Sequence, residues 1–209
     1  MNKRLYIAYG SNLNLEQMSR RCPTAKLVGT GVVEGYELKF KGRPNGAFAT
    51  IDEQEGGAVP VAVWELQPLD EVALNRYEGF PTHYFKRNIP VKMGGQELTG
   101  MVYIMNQQAQ ANRPSAFYLN TVEQGYMDCH LDTDVLFTAL DRTKAEVNER
   151  ESAFVEDEED DFDEEESDDE DFDEDYDDEF DEDFDDDEDF DEDFDEDDDE
   201  DYDFYPLHF

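Results

Sequence analysis

No lysine or arginine follows Arg150, and that single fact divides the chain. Of its 58 acidic residues, 40 lie in 151–209 and 18 in 1–150, so the first part carries a formal charge of −2 and the second −40. The second part reads DEDFDDDEDFDEDFDEDDDEDYDFY over much of its length, with no glycine and few aliphatic side chains. Mutual repulsion and scarce apolar surface leave nothing to offset chain entropy there. The expectation is two units: a folded domain over 1–150, and a disordered, acidic-aromatic, low-complexity tail over 151–209. About 150 residues suffice for one sizeable core.

Charge narrows the partners. Phosphate backbones would be repelled, which argues against nucleic acid. Acidic stretches interleaved with Phe and Tyr suit an interaction tail for a basic protein. Weak, multiple calcium binding is the other reading of the tail, because the glycine-punctuated spacing of a dedicated calcium loop is missing. No stretch approaches the length of a membrane span, and no cationic segment followed by an apolar run marks a leader. Two isolated cysteines, Cys22 and Cys129, then read as reduced thiols in a cytoplasmic protein.

Within the first part, Lys3–Tyr9 predicts a buried strand and Leu15–Arg21 a short helix capped by Asn14. Ala25–Phe40 alternates in the manner of strands. Ala47–Ile51 and Val59–Leu66 predict a hairpin closed by an acidic Gly-Gly turn. A helix opens at Gln67-Pro68 and runs to Tyr77, its packing face suggested by Val72, Leu74 and Tyr77. Strands follow at Tyr84–Met93 and Glu97–Met105, then helices at Ser115–Gly125 and Thr133–Val147. Many short strands with few helices predict an α+β fold, a small bent sheet or mixed β-barrel with helices packed outside.

Two places carry chemistry. Tyr9-Gly10-Ser11-Asn12 sets a glycine turn between a strand and a helix, where unpaired N–H groups can hold a carboxylate; the competing reading is an ordinary strand–helix turn. Glu78 ends a helix just before Gly79-Phe80-Pro81, beside Tyr77, Phe80 and Tyr84. Lost hydration there would raise its pKa toward neutrality, as a general acid/base needs; the competing reading is a solvated helix-end glutamate. His83 is a further lining candidate. Cys129-His130 resembles a nucleophile–base pair, but adjacent residues rarely face one another. No His, Cys or Asp cluster at metal-ligand spacing occurs in the first part, so no metal is expected.

Taken together, YGSNL, GYELKF, GAFATI, VWEL, LNRYEGFPTHY and PSAFYLNTVEQGY occur in the order seen in gamma-glutamylcyclotransferase-like proteins, a group that includes the AIG2-like proteins. The resemblance covers roughly residues 4–140. It implies a small barrel with flanking helices and an enzyme that needs no cofactor. In the implied reaction the alpha-amine of a gamma-glutamyl amine or dipeptide attacks its own side-chain amide, releasing 5-oxoproline and a free amine. It further implies that Tyr9, Gly10, Ser11, Asn12 and Leu13 surround the glutamyl group. Glu78 falls on the acid/base position, while Ala47, Phe48, Tyr84 and Tyr118 complete the pocket. The alternative is a non-catalytic ligand- or protein-binding module whose acidic tail does the work.

Overall fold

The computed structural model describes residues 4–106 and 108–159, with side chains as far as Ala153. Strand β1, Arg4–Ala8, is followed by a single 3-10 turn, Ser11–Leu13, and helix α1, Leu15–Arg21. Then come β2 (Lys26–Arg43), β3 (Gly46–Leu66), α2 (Pro68–Tyr77), β4 (Tyr84–Met93), β5 (Gln96–Met105), α3 (Ala116–Asp128) and α4 (Thr133–Glu159). The strands close a barrel in the order β1-β3-β2-β4-β5. Its seam is a parallel bridge between β1 and β5 at Tyr6 and Met101, and every other pairing is antiparallel. Closure removes exposed sheet edges. Ile7, Phe40, Ile51, Val61, Val63 and Val102 lose all solvent contact inside the barrel and under the helices.

The predicted hairpin is corrected by the register. Ala47–Ile51 and Val59–Leu66 belong to one 21-residue strand, β3, which pairs with β2 along almost its whole length. The turn lies instead at Pro44-Asn45, with Asn45 at φ 56°. Proline followed by a residue of positive φ is the pair a type II turn favours. Gly56-Gly57 marks a bulge: Glu34 faces Ala58 while Tyr36 faces Glu53, so Gly35 opposes four residues. A second register shift occurs between Leu27 and Gly29. Bulges of this kind bend strands too long to stay straight within a small barrel.

Helices α1 and α2 and strands β4 and β5 fall where the sequence places them. Asn14 caps α1, its side-chain oxygen accepting from the Gln17 N–H at 2.9 Å. Val72, expected on the packing face of α2, is instead 60% exposed, and Leu74 is the fully buried anchor. Helix α4 runs to Glu159, past the compositional boundary at Arg150. The expected tail, with its calcium and basic-partner readings, otherwise lies outside the described residues. Among the described residues no helix is long and apolar enough to cross a membrane.

One packing contact positions the site directly. Helix α3 lies against the 3-10 turn through Gly125, where a Cβ would approach the Asn14 nitrogen at 2.5 Å and Leu13 Cβ at 2.6 Å. Backbone atoms cannot yield cheaply, so Gly125→Ala is expected to cost about 1–3 kcal/mol by overpacking. Thermal unfolding should register this as a fall of roughly 2–4 °C per kcal/mol. An unchanged Tm would show that the turn is not braced by α3.

Candidate active site

The turn after β1 is tight because of what surrounds it. Gly10 sits at φ −117°, ψ −137°, so no left-handed backbone requires glycine. A Cβ there would instead stand 3.2 Å from both Ala49 Cβ and the Tyr118 hydroxyl. Glycine thus lets the main chain approach β3 and α3 closely. The first amide to fold back is Leu13 N–H, onto the Gly10 carbonyl at 2.9 Å. The amides before it lack a helical acceptor, and Gly10, Ser11 and Asn12 all line the cavity.

Glu78 is fixed by the end of α2. Gly79 N–H donates to the Arg76 carbonyl (3.3 Å) and Phe80 N–H to the Asn75 carbonyl (2.9 Å), the paired bonds of a Schellman ending. Gly79 supplies the left-handed residue at φ 62°. The helix therefore stops with Glu78 still at helical angles, φ −78°, ψ −5°. Its side chain reaches into a cavity of about 30 Å³ lined by Tyr6, Tyr9, Gly10, Ser11, Asn12, Ala49, Tyr84, Tyr103 and Tyr118.

The polar groups in this cavity form one network. Asn12 Nδ2 donates to Glu78 Oε1 at 2.8 Å and to the Tyr6 hydroxyl at 2.8 Å. Asn12 Oδ1 accepts from Arg21 Nη1 at 2.7 Å. The guanidinium also lies 3.7 Å over the Tyr77 ring and 3.3 Å from Ser11 Oγ. On the opposite wall, Tyr84 donates to the Ala49 carbonyl and Ala49 N–H donates to Tyr118, both at 3.0 Å. Tyr9 donates to the Tyr103 carbonyl at 2.6 Å.

Burial dominates the electrostatics. The Glu78 carboxyl, whose ordinary value is 4.5, is raised to about 7 by desolvation; the Arg21 charge and the Asn12 hydrogen bond pull the other way without cancelling it. Desolvation likewise lifts the hydroxyls of Tyr6, Tyr9, Tyr84, Tyr103 and Tyr118, with the Glu78 charge adding to the rise. They remain neutral across the range in which Glu78 titrates. The cavity thus holds a proton acceptor poised near neutrality within a ring of uncharged hydroxyls.

The structure gathers Tyr9, Gly10, Ser11, Asn12, Glu78, Tyr84 and Tyr118 around one cavity. It does not bring Leu13, Ala47 or Phe48 there. Leu13 and Ala47 are fully buried core residues, and Phe48 packs edge-on against Tyr118, ring centres 4.9 Å apart. Strand alternation explains Phe48: its neighbour Ala49 is the β3 residue that faces the cavity. Phe80, expected beside the Glu78 carboxyl, is 38% exposed and lies outside. His83 lines a separate concavity of about 490 Å³ around Thr82–Tyr84, which shares Tyr84 with the Glu78 cavity. Cys129 gives its thiol to the Leu13 carbonyl at 3.4 Å and is pushed up to about 11 by burial. The adjacent His130 is exposed, so no nucleophile–base pair forms. No group of three or more His, Cys, Asp or Glu arranged to hold a metal occurs among the described residues.

Residues the sequence reading missed are Tyr6, Arg21, Ala49 and Tyr103. For Arg21 a signal existed: Gln17 and Arg21 stand four apart on a helix that starts directly after the turn, so their shared face returns over it. Tyr103 had none, since it arrives through the barrel seam.

The fold and site are those of a closed barrel that buries one carboxyl beside a main-chain turn. The chain belongs to the family described as gamma-glutamyl cyclotransferase, AIG2-like, which matches residues 6–121. It is 30% identical over 131 residues to a Homo sapiens gamma-glutamylcyclotransferase, covering 58% of this chain and 69% of that one. A Bos taurus gamma-glutamylcyclotransferase is 28% identical over 134 residues, with the same coverage. A solved structure titled gamma-glutamyl cyclotransferase superposes with a TM-score of 0.60 at 25% identity, covering 69% of this chain and 88% of that chain.

Proposed function

We propose that this protein cleaves gamma-glutamyl amides by cyclotransfer. The observation that carries the reading is the Glu78 carboxyl, raised to about 7 and held 2.8 Å from Asn12 beside the Gly10 turn. The substrate's alpha-ammonium must lose a proton before its nitrogen can add to the side-chain carbonyl carbon. Glu78 takes that proton. The new C–N bond closes a five-membered ring and the old one to the departing amine breaks; Glu78 passes to the leaving nitrogen both the first proton and the one the ring nitrogen sheds on addition, so the amine departs as its ammonium ion. The products are 5-oxoproline and a free amine, and no water is consumed.

The free amides of the Gly10–Asn12 turn suit the glutamyl alpha-carboxylate and the developing oxyanion. Tyr9, Tyr84 and Tyr118 form the walls that hold the folded-over conformer, which is most of what an intramolecular reaction requires. At about 30 Å³ the cavity is narrower than a glutamyl group. Binding therefore moves side chains, a common accommodation at sites of this kind. The catalytic unit is the barrel with its helices.

Mass-spectrometric detection of 5-oxoproline over a panel of gamma-glutamyl amines and dipeptides tests the assignment. Equimolar 5-oxoproline and amine are expected from at least one member. Binding without release across the whole panel would favour a ligand-binding module instead.

A further inference from the structure

We propose that Arg21 is a positioning residue for Glu78: by gripping the amide oxygen of Asn12 it turns the Asn12 NH₂ onto the Glu78 carboxylate. This rests on the acid/base reading of Glu78 but adds a residue and a role to it. The Asn12 side chain has two ends that differ by one atom; an ionised Glu78 takes only the nitrogen, but a protonated Glu78 can accept from the nitrogen or donate to the oxygen, so Glu78 alone does not fix the orientation in both of its states. The choice is made at the other end. Arg21 offers only donors, so the atom it meets at 2.7 Å must be Oδ1, and Nδ2 is left to donate to Glu78 and Tyr6.

Arg21 is itself held on several sides. Its ring contact with Tyr77 is 3.7 Å, Gln17 Oε1 accepts from Nη2, and Ser11 Oγ lies 3.3 Å from Nη1. These partners come from α1, α2 and the turn, so the guanidinium ties together the three segments that build the site. A planar five-donor group does this and an ammonium cannot.

Arg21 is also the charged neighbour of Glu78. The groups facing Glu78 are Tyr6 from β1, Tyr9 from the turn, Tyr77 from α2, Tyr84 from β4, Tyr103 from β5 and Tyr118 from α3, with Cys22 behind α1. Burial raises every one of these, Cys22 to about 12, so all stay uncharged near neutrality. Among the described residues Arg21 supplies the opposite charge to the carboxyl. Geometry and charge are thus separable by mutation.

The full chain carrying Arg21→Gln or Arg21→Lys should be compared with wild type by carboxyl ¹³C NMR titration, the Glu78 signal being assigned as the one lost in Glu78→Gln. In parallel, 5-oxoproline kinetics should be followed against pH. Arg21→Gln is expected to move the Glu78 midpoint upward by about half a unit or more and to lower kcat roughly 10- to 100-fold, with KM changing far less. Arg21→Lys should leave the midpoint near wild type while kcat still falls, because charge is kept and the grip on Asn12 is lost. A folded Arg21→Gln with an unmoved midpoint overturns the proposal, as does an Arg21→Lys enzyme with wild-type kcat. Should Arg21→Gln fail to fold, the kcat of Arg21→Lys decides alone. The NMR midpoint is read without turnover, so a chain that never makes 5-oxoproline refutes the functional reading while the titration still judges Arg21.

Discussion

Replacing Glu78 by glutamine is expected to abolish turnover while making the protein more stable in alkali. Glutamine keeps the size of the side chain and an acceptor oxygen for Asn12 Nδ2, so a gamma-glutamyl ligand should still bind, as calorimetry can check. What it cannot do is move a proton, and removal of a positioned acid/base costs about 10²- to 10⁴-fold. The stability effect follows from the same burial. In the unfolded chain Glu78 titrates at its ordinary 4.5, and in the folded protein at about 7. A carboxyl raised on folding contributes fully below 4.5, and that contribution is lost as pH climbs through 7, because the folded state must then hold a charge it disfavours. The displacement corresponds to about 3 kcal/mol. Denaturant unfolding at pH 5 and pH 9 should therefore show wild type weakening relative to Glu78→Gln as pH rises. Wild-type kcat/KM should decline on the acid side of about pH 7, where the carboxyl gains the proton it must be free to accept. Near-normal turnover in Glu78→Gln would remove Glu78 from the reaction altogether.

Much of this architecture could be read in the chain before any coordinates. Helix α1 announced itself through Asn14, and α2 through Gln67-Pro68, because caps are local chemistry. The turn at Gly10 and the acid at Glu78 were legible for the same reason, each lying at an element boundary with its own residue signature. What the sequence concealed were relations between distant segments. Gly56-Gly57 looks like a hairpin turn when only β3 is considered. It becomes a bulge once β2 is known to continue beside it. Phe80 is next to Glu78 in sequence, yet the Schellman ending turns it outward, and the walls come instead from Tyr6 and Tyr103, which meet only when β1 pairs with β5. Of the neighbours expected around Glu78, Tyr84 does line its cavity and Phe80 does not, while the direction of the pKa was foreseen. Strand parity gave the remaining error: Ala47 and Ala49 share a face in a regular strand, and only the approach of Gly10 and Tyr118 singles out Ala49.

Asn12→Asp offers a sharper probe, because it exchanges a single NH₂ for oxygen and leaves the shape of the site intact. The side-chain oxygen that meets Arg21 Nη1 at 2.7 Å is retained. The atom that donated to Glu78 Oε1 at 2.8 Å becomes an acceptor, and two carboxylates at that separation cannot both be ionised near neutrality. They share a proton and titrate as a pair with two apparent values. Arg21 stands on the side of the new carboxylate, and the Tyr6 hydroxyl, formerly an acceptor from Asn12 Nδ2, can turn to donate to it. The charge therefore settles on residue 12 and the proton stays with Glu78. At pH 7 the base is then occupied, and kcat/KM should fall by about 10²-fold or more. The loss should recede toward pH 9, with the acid limb of the profile displaced upward by about 1–3 units. That recovery separates a charge effect from simple damage to the turn, which would depress activity equally at every pH. A loss independent of pH from 6 to 9 would mean that Asn12 serves only as scaffold, and that the ionisation of Glu78 does not govern the rate.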